Sequence, residues 1–168
     1  MKPPVLAVLA VLWVLSGCSR PADPPPPRDL RAGQTIRTAT VYLIPIAAHK
    51  AAGCGGATPV AAPVEVELPV PSPALAGSLA ALLDAGKRYE SAGFYNALAD
   101  SPLKVDRIER AGGAARVYLT GYMELAGECD GPRLLEQLTR TASQFTDVKR
   151  AELFLDGKPL GDLLAGKP

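Results

Sequence analysis

The chain has 168 residues and a net charge of +1, with a single histidine. That balance excludes the strongly basic surface a nucleic-acid binder uses, and 5% aromatics leaves little for a base-stacking or carbohydrate platform. The length supports one well-cored domain and not two.

The amino terminus reads as a leader. Lys2 is followed by an unbroken apolar run from Val5 to Leu15, too short to span a bilayer, which takes about 20 apolar residues. It fits the core of a secretory signal. The run closes in Leu15-Ser16-Gly17-Cys18, which resembles the bacterial lipobox: an aliphatic residue, two small residues and an obligatory cysteine. The resemblance implies that the Cys18 thiol takes a diacylglyceryl group, that cleavage removes residues 1–17, and that the freed amine is open to acylation by a chain such as palmitate. The bland alternative is an ordinary secretory signal with a chance cysteine. Each buried CH₂ of an acyl chain contributes roughly 0.8 kcal/mol, so two or three chains hold a protein stably on a membrane. Ser19 in place of Asp resembles a signal for the periplasmic face of the outer membrane, if the host has two membranes.

Residues 18–34 are expected to form a tether. Pro21 and Pro24 to Pro27 favour extended polyproline II, a spacer that stands the folded part off the bilayer. A proline-recognition ligand is the sharper alternative. Residues 35–168 are then the domain.

Cys54 and Cys129 remain after Cys18. Outside the cytoplasm thiols tend to pair, and an even count favours a disulfide between them over two separate thiols. That bond would close a loop of about 75 residues, worth roughly 4 kcal/mol on the chain-entropy model. One histidine and no Cys-x-x-Cys spacing argue against a metal site.

Along the domain, Thr38 to Ile44 reads as a strand with Val41 and Leu43 on one side, Thr40 and Tyr42 on the other. Ala47 to Pro63, rich in glycine, reads as a loop carrying His49 and Cys54. Val64 to Leu68 alternates and reads as a half-buried strand. Ser72 as N-cap, Pro73 at the first helical position and Leu75, Leu79, Leu82 and Leu83 on one face predict a helix that Gly86 ends. Residues 87–102 read as irregular, anchored by Phe94, Tyr95 and Leu98. Val105 to Arg110 and Arg116 to Tyr122 flank Gly112-Gly113 as a hairpin, with Val117 and Leu119 inward, Tyr118 and Thr120 outward. A second helix runs from Asp130 to about Phe145 on an apolar stripe of Leu134, Leu135, Leu138, Ala142 and Phe145. Ala151 to Leu155 is a last strand, Asp156-Gly157 a turn, and Leu160, Leu163 and Leu164 a short packing segment. The order β-β-α-β-β-α-β predicts an α+β two-layer sandwich, with a mixed sheet and both helices on one face.

These segments resemble the GerMN domain, named for sporulation and spore-germination proteins. Arg116-Val117-Tyr118-Leu119-Thr120-Gly121 is similar to its "aliphatic-x-Leu-Ser-x" strand, with Thr120 where Ser is common. Leu134 to Phe145 resembles its helix, and Val148 to Pro159, with Asp156-Gly157, its closing strand. Leu79 to Leu83 and Tyr95-Asn96-Ala97-Leu98 are similar to features upstream, so the likeness covers residues 38–160. The cysteine pair and the long run from Gly86 to Ser101 depart from the pattern. The resemblance implies a binding or assembly module of the cell envelope, and it supplies no catalytic residues to carry over.

The residues agree with that implication. Ser101-Pro102-Leu103-Lys104 matches Ser-x-x-Lys, but that chemistry needs serine at a helix start with lysine one turn on. Pro102 and the following strand oppose this geometry. His49 needs a nucleophile brought to it. Glu65 and Glu67 share one strand face, where solvation is the ordinary role and acid–base work the rarer one. Lys104, Arg107, Arg110 and Arg116 cluster near the hairpin and could meet anionic lipid or an acidic partner, although Asp106 and Glu109 interleave with them. Tyr118 and Tyr122 would mark a partner surface if their sheet face is open. The expectation is therefore a lipid-anchored envelope protein that is not an enzyme, takes no cofactor or nucleic acid, and binds a protein partner or assembles with itself. A peptidoglycan or small-ligand module is the alternative, and an unrecognised hydrolase the third reading.

Overall fold

The structure is a computed structural model that describes residues 30–51 and 60–166. The leader, Cys18, most of the tether and Cys54 lie outside the described residues.

Strand β1 (Thr35–Pro45) alternates from Thr38 to Leu43: Ala39, Val41 and Leu43 are buried, while Thr40 and Tyr42 take the other side as expected. It pairs antiparallel with β2 (Ala62–Pro73), from Leu43↔Ala62 to Thr38↔Glu67. Pairing then jumps to Ile36↔Ser72, so Leu68 to Pro71 bulge out of the ladder. Pro69 and Pro71 have no N–H to give a partner strand, which suits an edge position.

Between these strands, Ile46–Ala51 forms a short helix, α1, where the sequence reading expected a loop. Alanine is the best helix former, and Ala47, Ala48 and Ala51 sustain a turn until the glycine-rich stretch begins.

Helix α2 (Ala74–Asp84) buries Leu75, Leu79 and Leu82 and stops one residue before Ala85 and the left-handed Gly86 (φ 52°). Its N-cap is Pro73, not Ser72, and no side chain caps it. Main-chain carbonyls do this instead: the N–H groups of Ala74 and Leu75 donate to Gln34 O (2.6 Å) and Ala32 O (3.1 Å). The chain entering the domain thus satisfies donors a helix start leaves orphaned. The Ser72 hydroxyl donates to Val70 O at 3.2 Å.

The segment after α2 holds one 3₁₀ turn (Glu90–Ala92) and a two-residue strand, β3 (Phe94–Tyr95), paired with the end of β1. Leu98 is fully buried. Strands β4 (Leu103–Ala111) and β5 (Ala114–Gly121) form the expected hairpin. Gly112 (φ 58°) and Gly113 (φ 77°) supply the two positive φ angles that a two-residue turn of matching twist requires. Helix α3 (Asp130–Ser143) leads to β6 (Arg150–Leu155), parallel to β5, and then to β7 (Lys158–Pro159) and α4 (Leu160–Ala165).

The α+β class stands, with α2 and α3 packed on each other and sharing one core with the strands. The single mixed sheet does not form. Strands order as β2-β1-β3 in one antiparallel sheet and β4-β5-β6-β7 in a second, mixed one. Side chains of α3 account for the division. On the β1 edge away from β2, Gln144 Nε2 donates to Thr40 O (2.9 Å). The Tyr42 N–H donates to Thr141 Oγ1 (3.1 Å), and Gln137 Nε2 donates to Tyr42 O (3.1 Å). Further along, Ile44 pairs with Tyr95 of β3. The groups that would recruit a neighbouring strand are consumed by a helix, which covers the edge.

Candidate functional site

The second sheet carries one face into the core through Val117, Leu119, Leu153 and Leu155. Its other face bears Tyr118, aligned across three strands with Arg107 of β4 and Phe154 of β6. The Tyr118 and Phe154 rings stack with centroids 4.9 Å apart and planes 16° from parallel. The Arg107 guanidinium sits 3.6 Å above the Tyr118 centroid on the side away from β6, in cation–π geometry.

A β-bulge places Arg107 there. Val105 pairs with inward Leu119, yet Arg107 pairs with outward Tyr118, so Asp106 is the extra residue. Without it, the two-residue period would turn position 107 inward. Arg107 then donates to Asp106 Oδ2 (3.0 Å) and Glu109 Oε1 (3.2 Å), while Tyr118 OH donates to Glu109 Oε2 (3.2 Å). The hydrogen bond to Glu109 is the main cause holding the Arg107 pKa above its ordinary value.

One row nearer the hairpin tip, Glu152 receives Arg116 Nε (2.8 Å) and Arg150 Nε (2.9 Å). Those bonds hold its carboxyl below the usual carboxylate range. The face is thus two rings and three cations, Arg107, Arg116 and Arg150, fixed on rigid strands by carboxylates between them. Such a surface can dock a partner with little loss of side-chain freedom, and Tyr and Arg dominate binding hot spots.

Of the hairpin cations expected to cluster, Arg107 and Arg116 belong to this face. Arg110 bonds Asp147 Oδ2 (3.3 Å) at the tip, and Lys104 lies at the other end opposite Thr120. Tyr118 lies on the open face as expected. Tyr122, 61% exposed, falls just past the strand and stacks on no ring among the described residues. Phe154 was not singled out from the sequence. Its signal was there, since it alternates with inward Leu153 and Leu155, but its meeting with Tyr118 depends on β6 lying parallel beside β5.

The candidates for chemistry separate. Ser101 is 5% exposed and locked to a distant loop, its hydroxyl donating to Glu124 O and accepting from Glu124 N, both at 3.0 Å. Lys104 is on a strand, so the pair lacks the helical geometry its motif needs. Glu65 and Glu67 are exposed on β2, and His49 falls in α1. Among the described residues no group of three His, Cys, Asp or Glu is placed to hold a metal.

A buried polar cluster lies at the start of α3, where Cys129 is the N-cap residue. Asp130 and Arg133, 3% and 5% exposed, pair at 3.3 Å, and Tyr95 OH donates to Asp130 Oδ2 at 2.8 Å. Burial, then the bond to Asp130, pushes the Tyr95 phenol well above its ordinary pKa. A cleft of about 230 Å³ runs between β2 and α2, lined by Val66, Leu68, Val70, Ala81 and Tyr89, with Asp84 and Arg88 among its charged groups.

The family described as Germane, sporulation and spore germination, matches residues 40–161, well over half of the chain. The chain belongs to the GerMN family. Its fold is similar to the first GerMN domain of the sporulation protein GerM from Bacillus subtilis, at 20% identity and a TM-score of 0.52, over 73% of this chain and 84% of that one. It is also similar to the tandem GerMN domains of the same protein, at 21% identity and a TM-score of 0.50, over 75% of this chain. There it spans 41% of the tandem structure, so it corresponds to less than the whole of that protein. No curated protein matches the chain in sequence. The GerMN match runs from the middle of β1 to the start of α4, and so both the stacked sheet face and the polar edge of β1 lie within it.

Proposed function

We propose that this chain is an envelope lipoprotein, anchored through Cys18, whose GerMN domain recognises a protein partner or assembles with itself and performs no reaction. The observation that carries the reading is the Arg107–Tyr118–Phe154 stack on an open sheet face. A half-buried aromatic row on the sheet face away from the core, with an arginine laid over it, has the composition of a binding hot spot. The family's association with sporulation and germination fits a non-catalytic part. Placement at the extracytoplasmic side of a membrane follows from the lipobox-like Leu15-Ser16-Gly17-Cys18. Among the described residues no helix is long and apolar enough to cross a membrane.

A disulfide between Cys54 and Cys129 belongs to the same proposal. Cys54 is the partner for Cys129 that the even count supplies once Cys18 carries lipid.

The cleft between β2 and α2 favours a second reading, a small-ligand or peptidoglycan-binding role. Its lining is mostly apolar with a few charged groups, the usual make-up of a small ligand site, but its volume lies below the roughly 300 Å³ at which such pockets begin.

Site-specific photocrosslinking in intact cells tests the leading reading. A crosslinker at Thr120, beside Tyr118 on the open face, should give a discrete adduct that Arg107→Glu or Tyr118→Ala abolishes. A crosslinker at Ala81, in the cleft, should not give it. Absence of any adduct at Thr120, together with a monomer at high concentration, would reject it, and isolated cell wall retained only through the cleft would favour the second reading.

A further inference from the structure

The chain enters the domain at one end, and that end is basic. Leu30 O accepts from the Thr146 N–H (3.2 Å), and the Ala32 N–H donates to Asp147 Oδ1 (2.9 Å). The same carboxylate binds Arg110 (3.3 Å), whose guanidinium lies against Gly33 so closely that a side chain there would meet it. The Gly113 carbonyl of the hairpin tip accepts from the N–H groups of Lys149 (2.7 Å) and Arg150 (3.3 Å). Three segments therefore converge: entry residues 30–34, the hairpin end 109–116, and 146–152 leading into β6. They carry Arg31, Arg110, Arg116, Lys149 and Arg150 against Glu109, Asp147 and Glu152, an excess of two positive charges. Arg31 and Lys149 are exposed and in no ion pair among the described residues.

The geometry points to this end as a docking surface for anionic phospholipid headgroups, and it rests on the proposed anchor at Cys18. Eleven residues separate Cys18 from Leu30, twelve steps along the chain and at most about 37 Å as polyproline II. The tip sits where that tether joins the domain. Tyr122, at the other end of β5, is about 25 Å further along the strand axis. The tether therefore keeps the basic end within reach of the membrane that holds Cys18. An anionic leaflet attracts a nearby cation strongly enough to shift a partition about fivefold per charge, within roughly a Debye length of the surface. Docked this way, the strand axes of the second sheet stand away from the bilayer, and the Arg107–Tyr118–Phe154 face remains open to a partner.

The mature lipidated chain in nanodiscs tests this. One set of discs is phosphatidylcholine, the other an equal mixture with phosphatidylglycerol, each carrying gadolinium chelated at a headgroup. In the anionic discs, amide signals of Gly112, Gly113, Lys149 and Arg150 should be broadened far more than those of Tyr122 and Leu125. Arg31→Gln with Lys149→Gln should cut the docked-to-free ratio about 20-fold, to near that in neutral discs, and high salt should do the same. Equal broadening at both ends, or no dependence on lipid charge while the protein stays on the disc, overturns the inference. A chain that elutes apart from both kinds of disc instead overturns the anchor on which it rests.

Discussion

Gln137 of α3 and Tyr42 of β1 are joined by a hydrogen bond from the amide Nε2 to the main-chain carbonyl at 3.1 Å, and Gln137 has no exposed surface. The same amide donates to Asn96 Oδ1 (3.2 Å), and its oxygen accepts from the Ala97 N–H (2.8 Å). One side chain therefore closes the edge of β1 and fixes the segment between β3 and β4. Gln137→Leu keeps the volume and strands the Tyr42 carbonyl and the Ala97 N–H out of water, while Asn96 Oδ1 keeps the Leu98 N–H. It should destabilise the domain by about 2–4 kcal/mol, seen as a lower urea midpoint at unchanged slope. Thr141→Val, which removes only the acceptor for the Tyr42 N–H, should cost about 1–2 kcal/mol.

That helix shows why one part of the fold was legible and another was not. Leu134, Leu138, Ala142 and Phe145 announce an amphipathic helix by spacing alone. Gln137, Thr141 and Gln144 look like its solvated side, yet they face a strand edge. Periodicity reports which side chains avoid water, not which polar ones find a buried partner. The two sheets were illegible for the same reason, since what stops β1 from joining the other strands is written in three polar residues about 100 positions downstream. The hairpin was legible because Gly112-Gly113 settles it locally. The stack on Tyr118 was half legible: alternation turns Tyr118 outward, but the bulge at Asp106 that brings Arg107 over it leaves no mark in the pattern.

The buried Asp130–Arg133 pair yields a prediction on stability and pH. Asp130→Ala removes the carboxylate that bonds both Arg133 and Tyr95 and should destabilise by about 3 kcal/mol. The Tyr95 phenol is protonated more tightly in the folded chain than in the unfolded one, whose value is near 10.0. Above that pH the unfolded state sheds a proton that the folded state keeps, so stability falls as pH rises. Below it the contribution is fully present. Tyr95→Phe should flatten this alkaline fall in denaturation midpoints measured from pH 9 upward, roughly a unit either side of the ordinary phenol value.

Binding and stability should separate on the open sheet face. Arg107, Glu109 and Tyr118 meet each other at the surface, where exposed ion pairs and cation–π contacts add little to folding. Arg107→Ala should leave the thermal midpoint nearly unchanged while abolishing the Thr120 crosslink. A large drop in midpoint without loss of the adduct would make the stack structural.

Gly121 ends β5 at φ 114°, a conformation L-residues avoid, and a Cβ there would run into the Pro102 carbonyl oxygen. Backbone, not a movable side chain, occupies the space. Gly121→Ala must therefore shift the Leu103↔Gly121 pairing and the Ser101–Glu124 clasp beside it. A cost of about 3 kcal/mol or more is expected, well beyond the roughly 1 kcal/mol of an ordinary glycine replacement at positive φ. Hydrogen exchange should localise the loss to residues 101–105 and 119–124, leaving the Gly112-Gly113 end protected.

The cysteine pair gives the last test. Non-reducing digestion of the mature chain should yield one peptide pair joining Cys54 to Cys129, and Cys129→Ser should abolish it. On the chain-entropy model the bond is worth roughly 4 kcal/mol, so reduction should lower the urea midpoint by more than any single change on the open sheet face. Cys129 is the N-cap residue of α3, next to Asp130. Reduction should thus loosen the start of that helix first, and exchange of its first turn should quicken before the β1 edge held by Gln137 and Thr141 is affected. A product carrying two free thiols and no lipid on Cys18 would put the folded chain in a reducing compartment and remove the basis for placing it in the envelope.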